Sequence, residues 1–419
     1  MRVTLSPTLA INQEIARRRA AGLHTIPLGF GEASIPIHPE LTRRLGEYAA
    51  LGGYGPVAGI PALLDAAAGY WTRRGVSTHA EQVVSGPGSK PLLYAIFQAI
   101  GGPVALPRPS WVSYAAQNAL LKQESVLIDI LPGQGGVPDP VALEAEAVRR
   151  REAGSPLRCV LVTIPDNPTG TVATPTVVRD LCAVARRHEL LVISDEIYLD
   201  LVHNPTSAVL TPSAVAPDLT ITTTGLSKSL ALGGWRIGVA RFPDTDRGAL
   251  LRQAVTIAAS EIWSAPAQPV QAVAAWAFGE PHELDAHLSS SGRLHGAVAR
   301  ATASVFQAAG ASVPEPAAGF YLYPDFSCSR AHLANFGIRT SADLAAHLLD
   351  EQGIATLPGS AFGDAPERLT LRIATPMLYG PDDARRWKAL GAPDPAALPW
   401  LAESLERLEA LLLSAVGRS

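Results

Sequence analysis

The strongest constraint on the fold is a repeated alternation of short β-rich runs with helical stretches between residues 81 and 224. Strand candidates occupy residues 81–85, 103–106, 126–130, 158–164, 190–194 and 219–224. Helical patterns lie between them, for example at residues 89–100 and 176–188. This alternation predicts an α/β fold with a mostly parallel sheet that helices cover on both faces. Ligands of such sheets bind beyond the carboxyl ends of the strands, so residues that follow each strand are the functional candidates.

The chain is longer than one ordinary core requires, and its pattern changes near residue 285. A long helix is predicted at residues 294–309, followed by short strands at 319–323 and 369–373 and a last helix at 398–415. We predict a large domain at residues 45–285. Residues 1–44 and 286–419 are predicted to form an N-terminal arm and a smaller α+β domain.

Charge and cysteine content narrow the class of partner. The net charge is -4 at pH 7, and no long run of Lys or Arg predicts binding to nucleic acid or an anionic membrane. Cys159, Cys182 and Cys328 are too widely spaced for a disulfide framework or a metal site, which favours a reducing compartment. The N-terminus lacks the apolar core of a signal peptide, and no apolar stretch reaches transmembrane length. We expect a soluble, cytoplasmic protein that acts on a small molecule.

Lysine-dependent chemistry has few possible locations, because the chain contains only Lys90, Lys122, Lys228 and Lys388. Lys228 directly follows the strand candidate at 219–224 and is flanked by small residues that allow a ligand to approach the backbone. A lysine amine forms a Schiff base with a carbonyl only when it is deprotonated, which a partly desolvated pocket near other cations favours. The position of Lys228 therefore indicates covalent chemistry.

Two motifs around this lysine carry a family resemblance. The sequence GLSK at residues 225–228, followed by GWRIG at residues 234–238, resembles the cofactor-lysine signature of class I/II aminotransferases. These enzymes have the pyridoxal-phosphate (PLP)-dependent fold type I, as aspartate aminotransferase does. The resemblance implies a seven-stranded sheet, a Schiff base (internal aldimine) between PLP and Lys228, and a contact of Arg236 with the cofactor phosphate.

The resemblance extends to other strand ends. Gly88, Ser89 and Lys90 open a helix after the first strand and resemble the family's phosphate-binding turn. Trp111 lies where relatives carry the aromatic ring that stacks on the cofactor. Asn167, in the NPTG turn, is implied to contact the cofactor's 3-oxygen and the substrate carboxylate.

Asp195 and Tyr198 follow the strand at 190–194. The resemblance implies that Asp195 pairs with the protonated ring nitrogen, and that Tyr198 forms a hydrogen bond with the 3-oxygen. Ser227 is predicted to contact the cofactor, because Gly225 stands where some relatives have a phosphate-binding serine. The predicted catalytic residues are Lys228, Asp195 and Tyr198.

Substrate and subunit contacts are also implied by the resemblance. Arg372 resembles the small-domain arginine that binds the substrate α-carboxylate, together with Asn167. Gly31 lies in a segment that resembles the one closing over the substrate, although Ala33-Ser34 stand where many relatives have Pro-Asp. Tyr54 resembles the tyrosine that reaches the neighbouring subunit's phosphate, so a homodimer is expected. Residues 31–36 and residues 260–264 are candidates for the side-chain pocket.

The resemblance favours aminotransferase activity. In this reaction the amine of Lys228 removes the α-proton of an amino acid and a 2-oxo acid is released. A second 2-oxo acid then reverses the sequence of steps. Other fold type I enzymes share the same cofactor residues, because the surroundings of the reacting carbon decide the reaction. A cyclase, a γ-elimination or replacement enzyme with an S-adenosylmethionine-like substrate, and an amino-acid oxidase therefore stay open, including in specialised metabolism. A DNA-binding regulator is disfavoured, because the family pattern begins within the first ten residues.

Overall fold

The computed structural model describes residues 5–417 except 205 and 208. Its strands are β1 (Ile26–Pro27), β2 (Val83–Gly86), β3 (Val104–Arg108), β4 (Ser125–Asp129), β5 (Cys159–Thr163), β6 (Leu191–Asp195), β7 (Thr220–Gly225), β8 (Gly238–Arg241), β9 (Tyr321–Leu322), β10 (Ile354–Ala355), β11 (Leu357–Pro358) and β12 (Leu371–Ala374). Seven strands form the main sheet, in the order β2-β8-β7-β6-β5-β3-β4. Only β8 runs antiparallel to its neighbours. The predicted mostly parallel sheet is confirmed.

Helices surround the sheets. They are α1 (Pro7–Ala20), α2 (Pro39–Tyr48), α3 (Pro61–Arg73), α4 (Ser89–Ile100), α5 (Val112–Leu120), α6 (Pro140–Glu152), α7 (Pro175–Arg187), α8 (Pro212–Val215), α9 (Leu226–Ser229), α10 (Asp246–Ile262), α11 (Gln268–Phe278), α12 (Asp285–Ala308), α13 (Arg330–Leu333), α14 (Ser341–Gln352), α15 (Asp383–Gly391) and α16 (Pro399–Ala415). Proline near the N-terminus of α6, α7 and α16 presets the backbone for the first turn.

The central strands are buried along their whole length, which explains their uninterrupted apolar and β-branched sequences. Every residue of β5, β6 and β7 is buried. Strand β8 returns beside β7 and pairs Gly238 with Gly225. A Cβ atom at Gly225 would lie 2.8 Å from the carbonyl oxygen of Ile237. Close packing of these two strands therefore explains why position 225, three residues before Lys228, is glycine and not serine.

A second unit packs beside the main sheet. Strands β11, β12 and β9 form an antiparallel sheet in that order, and β1 pairs with β10 in parallel. One hydrophobic cluster joins residues of the 26–35 segment to residues of α12, α14 and α16. The predicted helix at 294–309 is the C-terminal part of α12, which begins at Asp285. The sequence pattern missed its first turns because Ser and Gly there are poor helix formers, although burial of His287 and Ser291 holds them.

The domain boundary predicted between residues 44 and 45 falls inside α2. Leu41 of this helix belongs to a hydrophobic cluster with residues of α3 and α11. We therefore propose that the large domain begins before α2 and ends before α12. In the part of the chain that the structure describes, no helix is long and apolar enough to cross a membrane.

Candidate active site

A cavity of about 510 Å³ lies beyond the carboxyl ends of β5, β6 and β7, between the main sheet and the second unit. Each of these strands ends on, or leads directly into, a residue of the cavity wall: Thr163, Asp195 and Ser227. The predicted site residues that line the cavity are Gly31, Ser89, Lys90, Trp111, Asn167, Asp195, Tyr198, Ser227, Lys228, Arg236 and Arg372. The topology thus brings together residues that are up to 341 positions apart in the chain.

Lys228 points into this cavity from α9, the single turn that follows β7. Its Nζ atom donates a hydrogen bond to the carbonyl oxygen of Gly31 at 2.6 Å. Burial, assisted by the nearby Arg372 guanidinium, lowers the pKa of Lys228 to about 8. The free amine, which is the nucleophilic form, is therefore far more populated near neutral pH than for an exposed lysine.

Asp195 ends β6, and its side chain is enclosed at 2% exposure. The Tyr114 hydroxyl donates to Asp195 Oδ2 at 2.8 Å, and the Thr223 hydroxyl donates to Oδ1 at 3.3 Å. Burial raises the pKa of Asp195 to about 6, against the lowering effect of these donors. A buried carboxylate that has two hydroxyl donors and no salt bridge among the described residues is suited to a cationic ring nitrogen.

Tyr198 and Arg372 lie close together on the opposite wall, with Tyr321 between them. The Tyr198 and Tyr321 hydroxyl oxygens are 2.9 Å apart, and the Arg372 guanidinium carbon lies 4.9 Å from the Tyr321 ring centroid. Arg372 is 1% exposed and donates through Nη2 to the carbonyl oxygen of Gly29 at 2.5 Å. Its buried Nε atom has no hydrogen-bond partner within residues 5–417, 205 and 208 apart. A buried guanidinium with an unused donor is suited to an anion such as a carboxylate.

Two cations and a glycine turn form the third wall. Gly88 adopts φ 96°, a left-handed conformation that favours glycine, and α4 begins at the next residue, Ser89. A Cβ atom at Gly88 would lie 2.5 Å from Nη2 of Arg236, so the guanidinium packs directly on the turn. Lys90 is beside it, and burial together with Arg236 lowers the pKa of Lys90. Backbone N–H groups at a helix start and two adjacent cations are suited to a phosphate.

Trp111 and Asn167 complete the floor of the cavity. Trp111 packs edge-on against Tyr114, with 5.1 Å between ring centroids, and the Lys90 ammonium lies 4.9 Å from the Trp111 ring. Asn167 is buried, and its Oδ1 atom has no hydrogen-bond partner in the described part of the chain. An unpartnered buried amide oxygen is unfavourable unless a ligand satisfies it.

Comparison with known proteins decides the family. Residues 31–378 match the family model "Aminotransferase class I and II". The chain belongs to this family.

Similar enzymes cover nearly the whole chain. The aspartate aminotransferase of Geobacillus stearothermophilus is 31% identical over 388 residues, which is 90% of this chain and 93% of that enzyme. The aspartate/prephenate aminotransferase of Cereibacter sphaeroides is 31% identical over 392 residues, 90% and 94% of the two chains. The solved aspartate aminotransferase of Thermus thermophilus with maleate superposes with a TM-score of 0.82, at 26% identity, over 98% of this chain and 97% of that one.

This class I/II aminotransferase is PLP-dependent, and its substrates are amino acids and 2-oxo acids. The residues present fit the cofactor. Asp195 is a buried carboxylate that forms no ion pair within the described residues, and the Arg236 guanidinium packs on the turn at Gly88, where phosphate binds readily. The fold, family, cofactor and activity predicted from the sequence are confirmed.

Two of the residues predicted from the sequence, Tyr54 and Trp263, do not line this cavity. Tyr54 lies outside the cavity and is 95% exposed in the single chain. Trp263, in the middle of the predicted 260–264 segment, packs against the cluster that contains α4 and β3 residues and does not line the cavity. The 260–264 segment does not line the cavity of the single chain, and its contribution to the side-chain pocket stays a prediction. Of the 31–36 segment, Gly31 and Glu32 line the cavity.

Sequence reasoning missed three residues with direct contacts to predicted ones: Tyr114, Thr163 and Tyr321. Tyr114 follows Trp111 by three residues at the start of α5, which places both rings on one side of the first turn. Its hydroxyl also lies 2.9 Å from that of Thr163. The helical spacing from Trp111 was the available signal for Tyr114, whereas Tyr321 required knowledge of strand register.

Proposed function

We propose that Lys228, Asp195 and Tyr198 are the catalytic residues of this aminotransferase, and that Arg372 binds the α-carboxylate of the amino acid. The observation that carries this proposal is the placement of the Lys228 amine, whose pKa is about 8, in one cavity with a buried carboxylate and a buried guanidinium. Such a site attracts an amino acid by its carboxylate and provides a base for its α-proton.

The cofactor would be held by residues on three walls. Gly88, Ser89, Lys90, Ser227 and Arg236 would bind its phosphate; Trp111 would stack on its ring; Asn167, Tyr198 and Asp195 would contact its polar ring atoms. When bound, pyridoxal phosphate supplies the aldehyde that combines with amino groups and the ring that stabilises negative charge at the α-carbon. Asp195 keeps the ring nitrogen protonated because a buried carboxylate favours an adjacent cation.

Lys228 would act twice, first as the anchor of the cofactor and then as the base. Its Nζ atom is already 2.6 Å from the carbonyl oxygen of Gly31, the segment that would lie over the substrate. With an amino acid in the site, the free amine of Lys228 could take the proton from the α-carbon. The same amine can return that proton one position away, which is the step that distinguishes transamination from the other fold type I reactions.

The side-chain end of the substrate site would involve the N-terminal residues of the cavity. Leu9, Phe30 and Glu32 contribute apolar surface and one carboxylate there. The cations that line the cavity are Lys90, Lys228, Arg236 and Arg372, and each already has a role in the proposal. Relatives are named for aspartate, prephenate and asparagine, so acidic and amide-bearing amino acids and the amino acid that corresponds to prephenate are the first substrates to compare.

A panel of amino acids in a half-reaction tests this function. Each amino acid is mixed with holoenzyme without a 2-oxo acid, and conversion of the cofactor to its amine form is followed by absorbance and mass spectrometry. We expect at least one amino acid to convert the cofactor stoichiometrically and to yield its 2-oxo acid. If absorbance shows that the amino acids bind but none of them converts the cofactor to its amine form, the aminotransferase assignment of the site is overturned.

We also propose a homodimer in which Tyr54 reaches the neighbouring subunit's cofactor phosphate, and a cytoplasmic location. Tyr54 is 95% exposed, which suits a residue with its partner on another chain. Sedimentation of the holoenzyme tests the dimer. Tyr54→Phe should lower cofactor affinity while the sedimentation coefficient stays unchanged, and an equal affinity for the two proteins would contradict this role.

A further inference from the structure

Tyr321 joins the two halves of the proposed site. Its hydroxyl oxygen lies 2.9 Å from that of Tyr198, the proposed cofactor contact, and its ring lies 4.9 Å from the guanidinium carbon of Arg372, the proposed carboxylate contact. Tyr321 is 1% exposed, so water does not compete for the hydroxyl. One buried side chain therefore contacts both the substrate side and the cofactor side.

Strand register fixes this position. In the antiparallel pair β9 and β12, Tyr321 lies opposite Ala374, two residues from Arg372. Residues two apart on a strand point to the same face, so Tyr321 and Arg372 both face the cavity. The Tyr198 ring packs edge-on against the Tyr321 ring, with 5.5 Å between centroids. The nearest alternative acceptor for the Tyr321 hydroxyl is the carbonyl oxygen of Gly31, at 3.5 Å.

The Tyr198 and Tyr321 hydroxyl groups each have one proton, so each can donate one hydrogen bond at a time. The Tyr198 oxygen can accept from Tyr321 when Tyr198 directs its own proton to the cofactor's oxygen. Without substrate, this donation from Tyr321 would strengthen the donation of Tyr198 to the cofactor, because linked hydrogen bonds polarise one another. A carboxylate at Arg372 is a better acceptor than a neutral hydroxyl, so Tyr321 turns its proton toward the carboxylate. Tyr198 then loses a donor and becomes the weaker donor to the cofactor.

We propose that Tyr321 is a positioning residue that links occupancy of the carboxylate site at Arg372 to the hydrogen bond between Tyr198 and the cofactor. The inference rests on the proposed roles of Arg372, Tyr198 and Lys228. Its consequence is that substrate binding makes the nitrogen that joins Lys228 to the cofactor hold its proton more tightly. A protonated nitrogen there is the form that an incoming amino group attacks.

The other charged groups that line the cavity are the same in a Tyr321→Phe variant. They are Glu32, Lys90, Asp195, Arg236 and Arg372, with Lys228 itself. The variant removes one hydroxyl and keeps the ring that packs on Tyr198 and Arg372. A difference between wild type and Tyr321→Phe therefore reports the hydroxyl.

A pH titration of the holoenzyme's visible absorbance tests the proposal. The midpoint is measured without ligand and with saturating acetate, 3-phenylpropionate or maleate, none of which can react with the cofactor. In wild type we expect at least one carboxylate to raise the midpoint. Without ligand, Tyr321→Phe should titrate at least about 0.5 pH unit above wild type, roughly a threefold change in the ionisation constant. The shift caused by the carboxylate should fall to half or less.

Matched variants complete the experiment. Tyr323→Phe also removes a buried hydroxyl, one that donates to Asp364 outside this cavity, and should titrate as wild type. Tyr198→Phe should reduce the carboxylate shift, and adding Tyr321→Phe to it should reduce the shift little further, because both act through one hydrogen bond. If Tyr321→Phe is unstable, Tyr198→Phe alone keeps the test decisive, because a carboxylate shift as large as that of wild type would overturn the link.

The outcomes separate this inference from the proposed function. A wild-type midpoint that none of the three carboxylates moves, or a Tyr321→Phe protein that shifts as wild type does, overturns the role of Tyr321. If the visible absorbance band of the holoenzyme persists unchanged in Lys228→Ala, by contrast, the assignment of Lys228 as the cofactor lysine is overturned. The proposed link from Arg372 through Tyr321 and Tyr198 to that lysine then falls with it.

Discussion

Replacing Tyr114 with phenylalanine should weaken cofactor binding in a pH-dependent way. The Tyr114 hydroxyl donates to Asp195 Oδ2 at 2.8 Å in a fully enclosed environment. A hydrogen bond to a charged acceptor contributes about 1.5–3 kcal/mol, and one pKa unit corresponds to about 1.4 kcal/mol, so its loss should raise the pKa of Asp195 by about one to two units. Since burial already raises that pKa to about 6, Asp195 would be at least half protonated at pH 7 in the variant.

A protonated Asp195 cannot pair with a cationic ring nitrogen, so affinity for the cofactor should fall by about twofold to tenfold at pH 7. The ratio between variant and wild type should shrink by pH 9, where Asp195 is ionised in both proteins. Pyridoxamine phosphate is the suitable probe, because it has the same ring and phosphate but forms no covalent bond with Lys228. Quenching of tryptophan fluorescence in the apoprotein gives the dissociation constant at each pH.

Tyr323→Phe serves as the control, because it removes another buried hydroxyl that bonds a carboxyl group, that of Asp364. It should bind pyridoxamine phosphate as wild type does. A change of the dissociation constant by less than about 1.5-fold at pH 7 in Tyr114→Phe, or the same ratio to wild type at pH 7 and pH 9, would refute the role of this hydrogen bond.

Three further predictions follow from the other walls of the cavity. Arg372→Gln should raise KM for the amino acid about a hundredfold and leave the affinity for pyridoxamine phosphate within threefold of wild type, as steady-state kinetics and the fluorescence titration would show. Gly88→Ala should lower cofactor affinity more than about tenfold, because the added Cβ meets Arg236 at 2.5 Å in a left-handed backbone conformation. Gly101→Ala is the matched control for backbone strain, because Gly101 also has a positive φ but no atom within 4 Å of the added Cβ. The rate at which apoprotein and pyridoxal phosphate form the visible band should rise with pH and level off above about pH 8, because Lys228 reacts as the free amine; a pH-independent rate between pH 6 and 9 would contradict the lowered pKa.

The cofactor side of the site was predictable because its residues sit in local motifs at strand ends. Lys228 follows β7, Asp195 ends β6, and Asn167 lies just beyond β5, so the rule for parallel sheets located all three. The motif alone could not explain Gly225, which stands where some relatives have serine. Gly225 lies close to the carbonyl oxygen of Ile237, and this contact depends on the pairing of β8 with β7.

The substrate side was harder to predict because it depends on long-range register. Tyr321 reaches Tyr198 only through the pairing of β9 with β12, and no local pattern in the sequence encodes that pairing. The early start of α12 was missed for a related reason. Tertiary burial of His287 and Ser291 stabilises turns whose own sequence favours helix weakly.

Single-turnover conversion of the holoenzyme by an amino acid tests whether Lys228 moves the proton of transamination. Wild type and Lys228→Ala are each loaded with pyridoxal phosphate and mixed with the best amino acid of the panel, and the amine form of the cofactor and the 2-oxo acid are quantified together. We expect one 2-oxo acid per cofactor in wild type, and a rate lowered by several orders of magnitude in Lys228→Ala, with exogenous methylamine restoring part of it. Equal rates in the two proteins would contradict the claim that Lys228 moves the proton.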